Sequence, residues 1–244
     1  MRNHHAFFSN CTMIRPILLL IFLCVTPLIY AQNEEQQVKD IDSLYKEDQF
    51  YFAVTYNLLG DKPSGVSQSG FSSGFHLGYI KDMPLNKRRN IAIGLGLGVS
   101  SNSFNQNILI DKIDGQYVYS VLNSNEISYS RNKFTMYIVE APLEFRWRTS
   151  TPESYKFWRI YTGLKFGYLV ANSSKFKDSS GKIKHSNISD FNSFQYGITF
   201  SAGYSTWNVH LYYGLNQIFN SDAQLNGAGI DMYVVRIGLM LYLL

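Results

Sequence analysis

Residues 91–99 read Ile-Ala-Ile-Gly-Leu-Gly-Leu-Gly-Val, so large apolar side chains alternate with alanine or glycine at every position. A helix would scatter these two sets around its circumference, whereas a β-strand places each set on its own face. One face of the predicted strand is therefore continuous hydrocarbon, and the other carries almost no side chain. Strands of soluble proteins usually alternate apolar with polar residues. The pattern here is typical of a strand that faces lipid on one side and a crowded interior on the other.

The same period of two recurs in other segments along the chain, mostly with aromatic residues near their ends. Segments of about ten residues suit bilayer-spanning strands, and about eight such strands suffice for a small closed barrel. The predicted fold is therefore all-β, an antiparallel transmembrane up-and-down β-barrel of about eight strands. The predicted strands are 50–58, 71–80, 91–99, 134–148, 157–170, 193–204, 207–216 and 232–244.

A soluble β-sandwich is the competing architecture, because it also contains several short alternating strands. Strand length favours the barrel, since strands of about ten residues or more fit a bilayer better. Tryptophan and tyrosine near the segment ends also fit the aromatic belts of a membrane interface. The predicted interface aromatics are Trp147, Trp158, Tyr168, Tyr204, Trp207 and Tyr233.

The composition agrees with a membrane barrel. Charged residues make up only 16% of the chain, below the roughly 25% of soluble domains, and there are 18 Tyr, 17 Phe and 18 Gly among 244 residues. Barrels use such residues for interface belts and tight interiors. The formal net charge of +4 is small, so it gives no reason to expect a nucleic-acid partner.

The N-terminal region has the features of a secretory signal peptide. Residues 14–30 are mainly apolar behind a basic start, and Ala31 is a small residue at the expected cleavage point. We predict a signal peptide at 1–31, a polar periplasmic segment at 32–48 and an outer-membrane barrel at 49–244. Cleavage would remove both cysteines, so the mature chain would close its fold without disulfides.

The predicted connections alternate between short and long. Outer-membrane barrels place short turns in the periplasm and long loops outside, and an even number of strands leaves both termini on the periplasmic side. We also expect a bulge at Pro142, which lacks a backbone donor, and a hairpin in the apolar loop 104–131 that extends the wall above the membrane. The short connections are 82–90, 149–156 and 205–206, and the long ones are 60–69, 104–131, 171–192 and 217–231.

Charged residues share the inward parity of three predicted strands. Buried charges must be paired, so the favoured interpretation is an ion-paired core that fills a narrow barrel, and the alternative is a gate whose salt bridges rearrange to pass solute. A turn centred near residues 152–153 would place Glu140 opposite Lys165. Gly94, Gly96 and Gly98 would make room for bulky neighbours such as Arg236, Tyr212 or Tyr161. The predicted lumen network consists of Glu140, Glu144, Arg146, Arg148, Arg159, Lys165 and Arg236.

Signals for enzyme chemistry are weak. His185-Ser186 and Asp190 lie together in a polar loop, but a catalytic triad is recognised by geometry and not by closeness in sequence. His76 and His210 stand at isolated inward positions, and no Cys/His spacing suits zinc. We therefore predict no catalytic, cofactor-binding or metal-binding residue, no cofactor and no small-molecule substrate.

Four lysines lie in the long loop 171–192, namely Lys175, Lys177, Lys182 and Lys184. On the outer face of the barrel they could meet the phosphates of lipopolysaccharide, and the alternative is a solvated loop without a ligand. The predicted partners are therefore outer-membrane lipid and lipopolysaccharide.

Segment 139–169 contains the pattern Glu-x-Pro-Leu, Tyr-x-Gly and Gly-Tyr-Leu, formed by Glu140, Pro142, Leu143, Tyr161, Gly163, Gly167, Tyr168 and Leu169. By this pattern the segment resembles the PorT/SprT-type outer-membrane β-barrel family of Bacteroidetes. The last strand departs from the usual barrel-assembly signal, because it ends in Leu243-Leu244 and not in an aromatic residue.

The resemblance implies a non-enzymatic component of the type IX secretion system in the cell outer membrane. This machinery exports proteins across that membrane and is tied to gliding motility in some species. Its other proteins would then be partners, and the family offers no catalytic residues to carry over. The alternatives are a generic small barrel, acting as a narrow pore or adhesin, and a lipid-modifying barrel enzyme.

Overall fold

The computed structural model describes residues 48–123, 127–149 and 157–243, which form β-strands joined by turns and loops. The predicted signal peptide, and the predicted polar segment up to Glu47, lie outside the described residues. No helix within the described ranges is long and apolar enough to cross a membrane. The strands are β1 Gln49–Gly60, β2 Ser73–Pro84, β3 Ile91–Asn105, β4 Ile108–Ile113, β5 Gln116–Val121, β6 Tyr129–Arg148, β7 Trp158–Asp178, β8 Lys182–Ser186, β9 Phe194–Tyr204, β10 Trp207–Gly214, β11 Gln224–Leu225, β12 Ala228–Gly229 and β13 Tyr233–Leu243.

Eight of these strands close into an antiparallel barrel in the order β6-β3-β2-β1-β13-β10-β9-β7, with β7 paired back to β6. The first and last strands pair with each other from Phe50–Leu243 to Gly60–Tyr233. Closure removes free strand edges, which would otherwise template aggregation. The predicted all-β, eight-stranded barrel is confirmed.

The two faces of each barrel strand carry different side chains, as the alternating sequence pattern predicts. Along β7, Trp158, Leu164 and Tyr168 are exposed on the outer face, while Arg159 and Lys165 are buried inside. The ten residue steps from Trp158 to Tyr168 rise about 25 Å at the usual strand rise and tilt, which matches the apolar band of outer-membrane barrels. Bulky side chains therefore face lipid.

The glycines of β3 admit large side chains on the inner face. An added Cβ at Gly94 would lie 2.6 Å from Arg146 Nε, at Gly96 it would lie 2.6 Å from Ile80, and at Gly98 it would collide with Tyr51. The predicted role of these glycines is thus correct. The expected neighbours Arg236, Tyr212 and Tyr161 were wrong, because β2 and β6 flank β3 in the sheet and Tyr51 reaches Gly98 from β1, the next strand after β2.

Five strands are longer than predicted, β1 and β2 by two or three residues and β3, β6 and β7 by more. β3, β6 and β7 continue to Asn105, Tyr129 and Asp178, because polar outward residues keep pairing above the apolar band. β8 pairs only with this upper part of β7. The expected hairpin in 104–131 exists as β4–β5, but it forms a separate two-stranded sheet and does not extend the wall.

The predicted bulge at Pro142 is wrong. On either side of Pro142 the β3–β6 ladder keeps one register, from Leu95–Leu143 to Gly98–Glu140. The register instead shifts against β7 between Tyr137 and Ile138, where the chain gains Val170. Pro142, which lacks a backbone N–H, therefore interrupts the β3–β6 pairing without adding an extra residue to β6.

Connection lengths alternate around the barrel. The strand ends joined by the short connections 85–90, 149–157 and 205–206 lie at one end of the barrel, together with the start of β1 and the end of β13. We call this the short-turn end. At the opposite, long-loop end lie the strand ends joined by the connections 61–72, 106–128, 179–193 and 215–232.

Candidate functional site

The first charged cluster in the lumen is centred on Glu140, which is 1% exposed. Lys165 Nζ lies 3.2 Å from Glu140 Oε2, and Arg236 Nη1 lies 3.7 Å from Oε1. The Ser100 hydroxyl donates to Oε1 at 2.7 Å, and His76 Nδ1 lies 3.2 Å from the carboxylate. One carboxylate thus holds together side chains from β2, β3, β6, β7 and β13.

The second cluster lies nearer the short-turn end and is centred on Asp82. Arg148 donates to both Asp82 oxygens, from Nη1 at 2.8 Å and from Nη2 at 2.7 Å. Arg146 Nη1 donates to Asp82 Oδ1 at 3.1 Å, and its Nε donates to Glu144 Oε2 at 3.0 Å. The Tyr242 hydroxyl donates to the other Glu144 oxygen at 3.3 Å. Two-pronged arginine–carboxylate contact is among the strongest arrangements for a buried pair.

Arg159 is placed differently from the other predicted lumen residues. It is buried, but within the described part of the chain its Nε and Nη1 have no hydrogen-bond partner. Its guanidinium carbon lies 4.5 Å from the Phe157 ring centroid and 5.7 Å from that of Tyr242. Aromatic faces therefore provide its main favourable contact.

The structure brings six of the predicted lumen residues into these two clusters and leaves Arg159 beside them. The predicted register is wrong by two residues, since Glu140 stands opposite Gly167 and Lys165 opposite Pro142. Asp82 was missed because the predicted strand ended at residue 80. Asp82 shares the inward face of β2 with His76, so a longer predicted strand would have placed it in the lumen.

The two lumen histidines take part in hydrogen bonding. His210 Nδ1 lies 2.7 Å from the Ser201 hydroxyl, and His76 contacts Glu140. Within the ranges 48–123, 127–149 and 157–243, no group of three or more His, Cys, Asp or Glu side chains is arranged to hold a metal ion.

An apolar plug fills the barrel mouth above the Glu140 cluster. Four phenylalanines form its centre, with ring centroids 4.9 Å apart for Phe104–Phe134 and 4.5 Å apart for Phe191–Phe219. The plug combines barrel residues with residues from the hairpin and long loops. Its members include Leu59, Val66, Phe104, Ile108, Ile110, Tyr119, Phe134, Met136, Ile188, Phe191, Ile218, Phe219, Leu225, Ile230 and Met232.

A small cavity of about 10 Å³ adjoins the Glu140 cluster. Its lining includes Glu140, Lys165, Tyr212 and Arg236. This volume suits about one water molecule and no larger solute. Among the residues that the structure describes, the charged clusters and the plug occupy most of the barrel interior.

The predicted interface aromatics lie at two levels on the outer face. Trp147, Trp158, Tyr204 and Trp207 lie near the short-turn end, where Trp158, Tyr204 and Trp207 occupy successive register positions. Tyr168 and Tyr233 lie toward the long-loop end. These positions are those expected of two belts that bracket an apolar band.

The loop residues considered for catalysis do not meet. His185 Nε2 lies 3.2 Å from Asp111, while Asp190 accepts hydrogen bonds from Tyr119 at 3.0 Å and from Ser189 at 2.8 Å. Burial and the nearby Asp190 carboxylate raise the pKa of Tyr119 above its ordinary value. The tyrosine therefore acts as a protonated donor that fastens the hairpin to the plug.

The filled lumen, the apolar outer band and the closed sheet define a small β-barrel of the outer membrane. The chain belongs to the family described as outer membrane protein beta-barrel domain, whose model matches residues 30–220. This family is broader than the PorT/SprT-type family that segment 139–169 resembles.

Solved structures with a similar fold include the crystal structure of Ail, the attachment invasion locus protein of Yersinia pestis. It is 14% identical, the match covers 82% of this chain and 99% of that one, and the TM-score is 0.32. The complex of Ail with the heparin analogue sucrose octasulfate is 16% identical over 80% of this chain and 98% of that one, with a TM-score of 0.30. No curated protein matches the chain.

Proposed function

We propose that this protein is a non-enzymatic structural or accessory component of the type IX secretion machinery. The observation that carries the structural role is the filled lumen. The charged clusters around Glu140 and Asp82 occupy the barrel, and the apolar plug closes its mouth. A protein of this design acts through its loops, termini and outer wall, and not through its interior.

The energetics oppose passage of solute. Separating one member of a buried ion pair from its partner costs about 3–5 kcal/mol, and a continuous path would require several such separations. Opening would also uncover the plug phenylalanines to water. A rearranging gate is therefore the weaker hypothesis, and a fixed core is the stronger one.

The proposal of type IX secretion rests on the resemblance of segment 139–169 to the PorT/SprT-type family. Several residues of that pattern have structural roles in the barrel. Glu140 holds the first cluster, and Gly163 allows close approach of β6, because an added Cβ would collide with the Leu143 carbonyl oxygen. The pattern therefore supports the barrel core of this family, and the secretion and gliding role follows from the family likeness.

We also propose that both termini are periplasmic and that the long-loop end is extracellular. The strand ends at Gln49 and Leu243 lie beside the short connections, as in other outer-membrane barrels. Labelling of intact cells that carry Ser180→Cys or Ser205→Cys tests this orientation with a membrane-impermeant thiol reagent. We expect labelling at position 180 and none at 205, and the reverse pattern would contradict the orientation.

Deletion of the gene in its own host tests the secretion role. We expect loss of secreted cargo from the medium, restored by the wild-type gene, and co-purification of other secretion proteins with the tagged barrel. Normal secretion in the deletion strain would exclude the role.

An adhesin-like barrel is the second candidate. The hairpin β4–β5 exposes Ile113 by 57% and Val118 by 41% at the long-loop end, and exposed apolar groups there suit contact with another protein. Normal secretion combined with loss of cell attachment on deletion would favour this candidate. A pore and a lipid-modifying enzyme have less support, since the lumen is filled and His185, Ser186 and Asp190 do not converge.

A further inference from the structure

Six cationic side chains form a regular array on the outer wall near the long-loop end. Three antiparallel strands bring them together in two rows of three. In one row Lys175 is paired with Lys133 on one side and with Lys184 on the other. In the second row Lys177 is paired with Arg131 and with Lys182. The basic patch consists of Arg131 and Lys133 in β6, Lys175 and Lys177 in β7, and Lys182 and Lys184 in β8.

The basic patch is electrostatically unfavourable by itself. Directly opposed side chains in an antiparallel sheet have Cβ atoms roughly 4.5–5.5 Å apart, and like charges at that spacing destabilise the pairing. Among the residues that the structure describes, no Asp or Glu lies within 4.0 Å of any of the six as an ion-pair partner. On the neighbouring β3, Lys133 is paired with the neutral Asn105.

The nearest acidic residue along these strands is already engaged. Asp178 ends β7, and its Oδ1 accepts hydrogen bonds from the Ser180 and Gly181 backbone amides, both at 2.8 Å. Together with the Ser180 hydroxyl, these donors lower the pKa of Asp178. The carboxylate therefore forms the turn before β8 and makes no ion pair with the basic patch.

The position of the basic patch indicates what kind of anion could reach it. On β6, Tyr137 is the last bulky outward residue, and Lys133 and Arg131 follow four and six residues beyond it on the same face. At the usual rise and tilt they stand about 10 and 15 Å above the apolar band. The basic patch is thus on the side wall, continuous with the lipid-facing surface, and not over the mouth of the barrel.

We infer that the basic patch binds the phosphate-bearing headgroup of lipopolysaccharide in the outer leaflet. A ligand on the side wall stands beside the barrel, which is where a lipid headgroup lies. Lysine ammonium groups bind phosphate as compact charges on long stems that can reach down toward the membrane. This inference rests on the proposed orientation, with the long-loop end outside the cell.

Binding of purified lipopolysaccharide vesicles to the full-length mature protein in lipopolysaccharide-free nanodiscs tests the inference. The double variant Lys175→Gln with Lys177→Gln removes both lysines of β7. Each of them lies between one cation of β6 and one cation of β8. Because each basic residue near an anionic surface adds to binding, we expect the loss of two to weaken binding at least about tenfold. The matched control, Lys62→Gln with Lys112→Gln, removes two exposed lysines elsewhere at the same end and should bind like wild type.

Further arms identify the chemistry. Vesicles of dephosphorylated lipopolysaccharide should bind the wild-type protein more weakly, and higher salt should weaken binding to intact lipopolysaccharide. A second variant, Lys133→Gln with Lys184→Gln, should repeat the loss if the first variant misfolds. Equal affinity of these patch variants and the control, or preferential binding of a soluble sulfated polysaccharide over lipopolysaccharide, would overturn the inference.

The outcome is independent of the secretion role. Binding is measured on purified protein, so a deletion strain with normal secretion would leave the lipopolysaccharide result standing. Conversely, equal lipopolysaccharide binding by the patch variants and the control variant would refute this inference without affecting the proposed role in secretion.

Discussion

Glu140 and Lys165 form an ion pair of 3.2 Å although they do not face each other across the β6–β7 ladder. Glu140 stands opposite Gly167, where an added Cβ would lie 2.7 Å from Ile138, and Lys165 reaches the carboxylate diagonally from two residues away. The same carboxylate also contacts Arg236 and His76. Glu140 therefore links side chains of five strands inside the lumen, namely β2, β3, β6, β7 and β13.

Replacement of this carboxylate should destabilise the barrel. Glu140→Gln leaves Lys165 and Arg236 buried with no carboxylate between them, and breaking a buried pair in this way costs about 3–5 kcal/mol. We expect a lower free energy of unfolding in detergent, measured by denaturant titration of tryptophan fluorescence.

The control for this change is Asp114→Asn, at an exposed turn position with φ of 49° that asparagine tolerates. It should stay within about 0.5 kcal/mol of wild type. Glu140→Gln combined with Lys165→Gln should recover part of the loss. An unchanged midpoint for Glu140→Gln alone would mean that this carboxylate does not hold the lumen together.

Alanine substitution at two glycines should show whether position 163 requires glycine because the strands pack closely there. An alanine Cβ at Gly163 would collide with the Leu143 carbonyl oxygen, which is backbone and cannot swing aside. We expect Gly163→Ala to lower the free energy of unfolding by about 1–3 kcal/mol. At Gly181 an added Cβ meets nothing within 4 Å, so Gly181→Ala is the matched control. Equal stability of the two variants in the same denaturant titration would refute the packing explanation.

Alkaline pH should weaken the attachment of the hairpin to the plug. The raised pKa of Tyr119 means that the folded state retains the phenolic proton after the unfolded chain has lost it. This contribution is complete below about pH 10 and declines as pH rises from there toward the folded-state pKa. Tyr119→Phe should reduce the fall in unfolding free energy above pH 10.

Hydrogen exchange provides the readout for that comparison, because amides of β4 and β5 should exchange faster as the attachment weakens. If Tyr119→Phe and wild type have the same pH dependence between pH 9 and about 11, the Tyr119–Asp190 bond does not contribute in this way.

The sequence indicates which face of each strand meets lipid, because a period of two reports the environment on each side of a strand. It does not indicate strand ends above the membrane, where β3, β6 and β7 continue as polar ribbons. Asp82 was missed at the opposite, short-turn end, because β2 also continues there beyond its last outward aromatic residue. The partners inside the lumen depend on the register shift at Val170 and on curvature, and neither leaves a local signal.

The plug illustrates a second limit. Its residues come from separate connections, such as Ile108, Phe191 and Phe219, and the apolar character of loop 104–131 was recognisable in the sequence. Their convergence on one barrel mouth follows from closure of the sheet, which brings distant loops together. The outward facing of the six predicted belt aromatics needed no such information, because it follows from strand parity alone.

Ionic current through the purified protein in a planar bilayer tests the central claim, that the lumen is filled and closed. An open porin in the same lipid is the positive control, and heat-modifiable migration of the sample in gels verifies that the inserted protein is folded. We expect no resolvable channel current from the wild-type protein. Reproducible, stable open-channel steps from folded wild-type protein would contradict the claim.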